Sequence, residues 1–212
     1  MLDHLARLKG LANAGERKDV VATLLKQVNL FDVRKKALGG FSGGMYALAD
    51  YIGEDNLNRA IRAFRDETAF KGPPYPNATQ FLTHVRAVTP PQYQYVIDDW
   101  FETITLYDNR AQSAAARSLP DGRYEVTLTV VARKRKADDL GHEDEAPLHD
   151  LIDIGVLGAE GEPLFLEKRR IDREQTSFTV VVGKRPARAG IDPYNKLIDR
   201  SPKDNTVAVT IE

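Results

Sequence analysis

Halfway along this chain the spacing of apolar residues switches from a helical period to strict alternation, and few folds accommodate such a switch. Before it, Leu2, Leu5, Leu8 and Leu11 recur at helical spacing, and after Gly15 so do Val20, Val21, Leu24, Leu25 and Val28. Two helices are expected before residue 30. "VNLFDVRKKALGG" reads as a short helical turn entering a glycine-rich loop, and Ser42 can cap a further helix that is interrupted at Gly53. From Asp55 onward, Leu57, Ile61 and Phe64 interleave with Arg59, Arg62 and Arg65 as an amphipathic helix that "KGPPYP" stops. Asn77 caps "ATQFLTHVRAV", and "TPPQYQYVIDDWFETI" supplies a last helix, with prolines in its first turn, ending near Ile104.

Beyond Tyr107 the pattern is that of strands. Tyr124, Val126, Leu128 and Val130 alternate with polar or small residues after the turn "LPDGR". Phe178, Val180 and Val182 alternate likewise, as do Val207, Val209 and Ile211, while "GAEGEP" separates strand candidates at 151–157 and 163–171. Helices first and strands after predict an α+β chain: a helical N-terminal half followed by an Ig-like antiparallel β-sandwich of roughly 100 residues. The charged run "RKRKADDLGHEDEAPLHD" is expected to form a long exposed hairpin loop.

Composition narrows the function classes. Thirty basic and thirty-one acidic residues leave a net charge of −1, so no global field recruits nucleic acid or an anionic membrane. No cysteine is present, which removes disulfides, thiolate zinc sites and cysteine nucleophiles. "MLDHLARLKG" has no uninterrupted apolar stretch and does not read as a signal peptide, and no run of about 18 apolar residues reads as a membrane span. The chain as given therefore reads as cytoplasmic, with no transmembrane segment and no nucleic-acid partner.

In "FSGGM", Ser42 offers a hydroxyl, Gly43 and Gly44 allow close backbone approach to an anion, and a helix begins immediately after. Serine and glycine also make ordinary helix entries, so the motif alone is weak. Residues 2–45, ending in this motif, resemble the helical subdomain and signature motif of ABC transporter ATPases. The resemblance implies that Ser42, Gly43 and Gly44 contact the terminal phosphate of an ATP held by an opposite subunit. Phe41 and Met45 depart from the usual leucine and glutamine, and no G-x-x-x-x-G-K-[ST] occurs anywhere to hold the phosphates. The chain holds half of a composite ATP site at best.

From residue 46 the resemblance changes. "MYALADYIGEDNLNRAIRAFRDETAFKGPPYPNATQFLTHVRAVTP", "FETITLYDNR", "DLIDIGVLG" and "GIDPYNKLIDR" resemble the C-terminal region of aminopeptidase N-type zinc metallopeptidases, in particular bacterial forms fused to an ABC-2 type permease. This implies three parts: an ABC ATPase-like helical fragment over 1–45, a helical piece of the peptidase catalytic domain over 46–107, and the Ig-like domain over 108–212. A parent enzyme of that family uses zinc and is expected to be membrane-attached and periplasmic. Its H-E-x-x-H motif places two imidazoles one helical turn apart to leave a coordination position for water. Here His142 and Glu143 are followed by Ala146 where the second histidine belongs, so no metal ligand and no catalytic residue is assigned.

Other chemistry-bearing residues have ordinary readings. His149 reads as a solvated histidine, and His84 and His4 lack a second ligand at helical spacing. Tyr46 and Tyr51 read as packing residues of their helix, and Tyr93, Tyr95, Trp100 and Phe101 as packing against the β domain. The carboxylate pairs Asp98–Asp99 and Asp138–Asp139 read as solvated, as does the basic turn of Lys184, Arg185 and Arg188. The functional expectation is a non-catalytic fusion or remnant of a transporter-linked zinc aminopeptidase, holding no cofactor of its own. Its expected partners are ABC transporter components or the missing peptidase core. Two alternatives stay open: a peptide- or transporter-binding module, and part of an active zinc aminopeptidase completed by another chain.

Overall fold

A computed structural model describes Asn13, Gly15 and residues 43–212 apart from Pro74. The helices expected over residues 2–30, and Ser42 with the rest of the ATPase-like stretch before Gly43, lie outside the described residues except at Asn13 and Gly15. The chain divides into two compact units, Met1–Tyr46 and Ala47–Glu212, and the second holds nearly everything described below. It is α+β: helices come first and mostly antiparallel sheets follow.

Helix α1 (Gly43–Ile52) ends where Gly53 takes φ 86°, a left-handed value that costs glycine little, and α2 (Glu54–Thr68) starts at once. Glu54 and Asp55 in the first turn of α2 complement its dipole, and Leu57 and Ala60 are its buried residues. Helix α3 (Ala78–Val88) opens on a reciprocal cap: Gln80 N–H donates to Asn77 Oδ1 at 3.0 Å and Asn77 N–H donates to Gln80 Oε1 at 2.9 Å. Phe64 meets Phe81 edge-on at 5.4 Å, pinning α2 to α3. The expected last helix is composite. A 3-10 turn (Pro91–Tyr93) leads into the short α4 (Gln94–Ile97) and then a π turn (Asp98–Glu102), closed by Thr103 N–H donating to Asp98 O at 2.9 Å.

Strand β1 (Ile104–Ser118) follows directly, so residue 107 lies within a strand. It pairs over its length with β2 (Tyr124–Ala137) across the "LPDGR" turn, where Gly122 sits at φ 82°. The remaining strands are β3 (Glu143–Glu145), β4 (Asp150–Leu157), β5 (Pro163–Ile171), β6 (Gln175–Val182), β7 (Arg188–Ile191), β8 (Thr206–Ala208) and β9 (Thr210–Ile211). One sheet runs β3-β2-β1-β9, with β6 also on β2; the other runs β5-β4-β7-β8. Only the β1–β9 pairing among these ladders is parallel.

A single apolar cluster draws on both sheets: Val126, Leu128 and Val130 from β2, Ile152, Ile154 and Val156 from β4, and Ile191 from β7. The alternation read from the sequence thus marks the inward faces of β2 and β6, while β4, read only as a strand candidate, is buried along nearly its whole length. One expectation is corrected by the strands. The charged run from Arg133 is no long loop: residues to Ala137 belong to β2, a tight turn spans Asp138 to His142, and β3 pairs back on Arg135–Ala137. Asp138 Oδ1 organises that turn, accepting N–H bonds from Leu140 at 2.9 Å and His142 at 2.8 Å.

Candidate functional site

Alternation along β2 continues past the apolar core. Val126, Leu128, Val130 and Ala132 face inward, and the next inward position is Lys134, 7% exposed. An ammonium there needs partners, because desolvating an unpaired charge costs several kcal/mol. On β4, Asp150 stands in phase with Ile152 and Ile154, so it is delivered to the same layer from the opposite sheet and accepts from Lys134 Nζ at 3.0 Å. The π turn supplies Asp99, which accepts from Lys134 through Oδ2 and pairs with Lys136 Nζ through Oδ1 at 3.1 Å. The rings of Tyr95 and Tyr107 lie 5.5 Å and 5.9 Å from the Lys134 ammonium.

Burial pushes the Asp150 carboxyl above its ordinary range, opposed by Lys134 and by the Tyr107 hydroxyl beside it. Burial likewise raises the phenols of Tyr95 and Tyr107, so both stay protonated. Tyr95 spends its oxygen on the backbone, accepting from Leu151 N–H at 2.8 Å. Two lysines thus face two carboxylates, and the cluster is neutral.

A second cluster occupies the other face of β4. Asp153, 4% exposed, receives Lys168 Nζ at 3.2 Å and Lys196 Nζ at 2.7 Å, and both lysines also reach Asp50 of α1. Burial would raise the Asp50 carboxyl, but hydrogen bonds from the two lysines outweigh it and hold it below its ordinary value. Lys168 also stands 4.5 Å over the Tyr51 ring, whose hydroxyl donates to Leu151 O at 2.6 Å. Tyr51 meets Tyr93 and Trp100 edge-on at 5.5 Å and 5.0 Å. Ion pairs and aromatic edges together fasten the helices to the β4 sheet.

Asp192 closes the loop after β7. It sits at φ 43°, is 2% exposed, and accepts the N–H groups of Lys196 and Leu197, each at 2.9 Å. Burial dominates over those bonds and lifts its carboxyl to about 6. A carboxyl raised in the folded state stabilises the fold fully below its unfolded value near 4, and that contribution disappears as pH rises through about 6. The charged form therefore costs on the order of 3 kcal/mol at neutral pH. Carbon-detected NMR titration is expected to find the Asp192 carboxyl titrating near pH 6. A midpoint near 4 would show that the loop opens to water.

The residues singled out in the sequence fall in several places. Gly43 and Gly44 lie in the first turn of α1, and Ser42 lies outside the described residues. Asp99 corrects the expectation of a solvated pair, since it is buried among lysines, whereas Asp98 is half-exposed and held low by its Arg86 partner. Tyr51 and Trp100 pack as expected, but Tyr46 is 67% exposed and does not. Arg188 is spent on Thr206, donating to its carbonyl at 2.7 Å.

The fit of these residues to zinc is poor. His142 lies at the end of a hairpin turn with Nδ1 3.0 Å from Asp138, Glu143 pairs with Arg200, and His149 is exposed on a connecting segment. None stands on a helix that would bring two imidazoles to one metal. His84 is on α3, but its Nε2 lies 2.8 Å from Glu67. No protein-family model matches the chain, and no curated protein matches it.

Proposed function

We propose that this chain is a non-catalytic C-terminal portion of a transporter-linked zinc aminopeptidase, with an Ig-like β-sandwich as its β part. One observation carries the reading: the buried ionisable groups serve cohesion. Lys134 with Asp99 and Asp150, and Lys168 and Lys196 with Asp50 and Asp153, are neutral sets joining helices to strands. None offers a nucleophile beside a free base. The absence of the second histidine at Ala146 points the same way. Half of an ATP site at Ser42, Gly43 and Gly44 fits an origin beside a transporter ATPase, and makes ABC transporter components or a separate peptidase core the natural partners.

Purified chain is expected to hold no stoichiometric zinc, to leave aminoacyl amides uncleaved and to show no saturable micromolar ATP binding. Elemental analysis giving about one zinc per chain, together with chelator-sensitive cleavage, would overturn the reading in favour of an enzyme completed by another chain. Exposed apolar side chains on and after α2, Ile61 at 42%, Phe70 at 71% and Tyr75 at 75%, support the second reading, a peptide- or transporter-binding module.

A further inference from the structure

Strand β6 pairs with β2 along one edge, and among the described residues no strand pairs with the other. Sheet edges ordinarily carry charges, prolines, bulges or brevity that keep other chains away. Those devices are present elsewhere in this molecule. Edge strand β5 begins at Pro163 and carries Glu167, Lys168, Arg169 and Arg170, while β3, β8 and β9 are at most three residues long. Strand β6, "QTSFTVVV", has eight residues, no charge and no proline, and its register on β2 is unbroken from Tyr124↔Val182 to Val131↔Gln175.

The backbone phase of that edge is determined. Ala132 N–H donates to Glu174 O at 2.8 Å, one step beyond the β2–β6 register. In an antiparallel ladder, bonded residues alternate with residues whose N–H and C=O point away. Residues in phase with Glu174 therefore bond to β2, and Gln175, Ser177, Thr179 and Val181 direct their N–H and C=O outward. The side chains of these four residues are exposed as well.

We infer that the outer edge of β6 pairs antiparallel with the same edge of a second copy of this chain, about a two-fold axis at Thr179. In that register Thr179 faces itself, Ser177 faces Val181 and Gln175 faces Gly183, so every outward donor and acceptor of the strand enters the new ladder. A two-fold pairing sets the residue on its axis against its own copy, which an uncharged residue such as Thr179 tolerates and a charged one does not. The flanks select a copy over an unrelated peptide. Glu174 comes opposite Lys184 at both ends; Lys184 is exposed and has no ion-pair partner among the described residues, and Glu174 carries its negative charge at the surface beside Arg133. The inference does not rest on the aminopeptidase reading.

One strand pairing is smaller than a standard interface of roughly 1,600 Å², so a dissociation constant of about 10–100 μM is expected. Sedimentation of the full chain at several times that concentration should approach twice the 23.7 kDa chain mass. Thr179→Lys, at an exposed site, should retain the monomer's circular dichroism and weaken dimerisation at least about tenfold by setting two ammonium groups face to face.

Because the chain has no cysteine, single-cysteine variants map the register directly. Thr179→Cys should cross-link on mild oxidation, its two sulfurs meeting at the axis. Gln175→Cys should not, since its copies lie eight residues, about 26 Å, apart. A monomeric mass throughout, equal cross-linking at both positions, or a Thr179→Lys dimer as tight as the parent would each overturn the inference.

Discussion

Replacing Lys134 by methionine should remove about 3–5 kcal/mol of stability at pH 7, a large fraction of what a domain of this size holds. Methionine matches the lysine stem in length and flexibility, so packing is nearly kept and the loss isolates the charge. What remains after substitution is Asp99 and Asp150, with side chains 3% and 4% exposed, in one desolvated space where, among the described residues, Lys136 is the cation still bonded. Removing one partner of a buried set is worse than removing all of it, because the survivors keep their desolvation cost without the compensating attraction.

The pH dependence of this variant supplies a signature that lost packing would not give. Without Lys134, the Asp150 carboxyl, already raised by burial, is raised further. Stability tied to a raised carboxyl is present below its unfolded value and lost as pH rises through the folded one, so the deficit of Lys134→Met should shrink between pH 7 and pH 5. Urea unfolding at the two pH values measures it directly. A deficit below about 1 kcal/mol at pH 7, or one that does not change with pH, would mean that water reaches the cluster and screens it.

Lys134 also illustrates what was legible in the sequence. The apolar alternation from Val126 to Val130 announced β2, and carrying the same parity four residues on lands on Lys134. The signal was there, but a run of four alternating basic residues reads as solvated unless its phase is followed. Asp150 was legible by the same device, standing in phase with Ile152 and Ile154 on β4. Asp99 was not. Its burial depends on the π turn, which shifts the side chains after Ile97 away from ordinary helical phase, and no local residue preference marks such a turn.

Strand β1 was hidden for two physical reasons. Its inward residues include Thr105, Asn109, Ala111, Ala114 and Ala116, small or polar side chains that are buried without giving an apolar signature. The register shift between Ala111 and Ser113 then moves the inward face from odd to even positions, so no single parity spans the strand. The break at Gly53 and the cap at Asn77 were legible because each rests on one residue's own chemistry. The clusters joining α1 to β4 rest on pairs such as Asp50 with Lys168 and Tyr51 with Leu151, about a hundred positions or more apart, which no local pattern encodes.

The other large effect is expected at Gly190. This residue of β7 faces Thr206 of β8, and a Cβ built on it would lie 1.9 Å from Asn205 O, 2.8 Å from Thr206 Cα and 2.9 Å from Asn205 C. All three obstacles are backbone atoms, and Asn205 O is already committed to Ile191 N–H at 2.9 Å. Alanine can be admitted only by moving β8 away from β7, which breaks that bond and disturbs the ladder from Arg188↔Ala208 to Gly190↔Thr206. Gly190→Ala should therefore cost more than about 3 kcal/mol, beyond the usual range for overpacking a core. Gly155→Ala is the comparison: its Cβ would meet Pro193 Cγ at 2.8 Å, a ring atom on a loop that can shift, so a smaller loss is expected. Gly122→Ala meets nothing within 4 Å and carries only the strain of φ 82°, about 1 kcal/mol. Urea midpoints should fall in the order Gly122→Ala, Gly155→Ala, Gly190→Ala, the last being lowest. If Gly190→Ala unfolded at the same midpoint as Gly122→Ala, β8 would have to be free to move, and the close approach of Asn205 to β7 could not be a fixed part of the core.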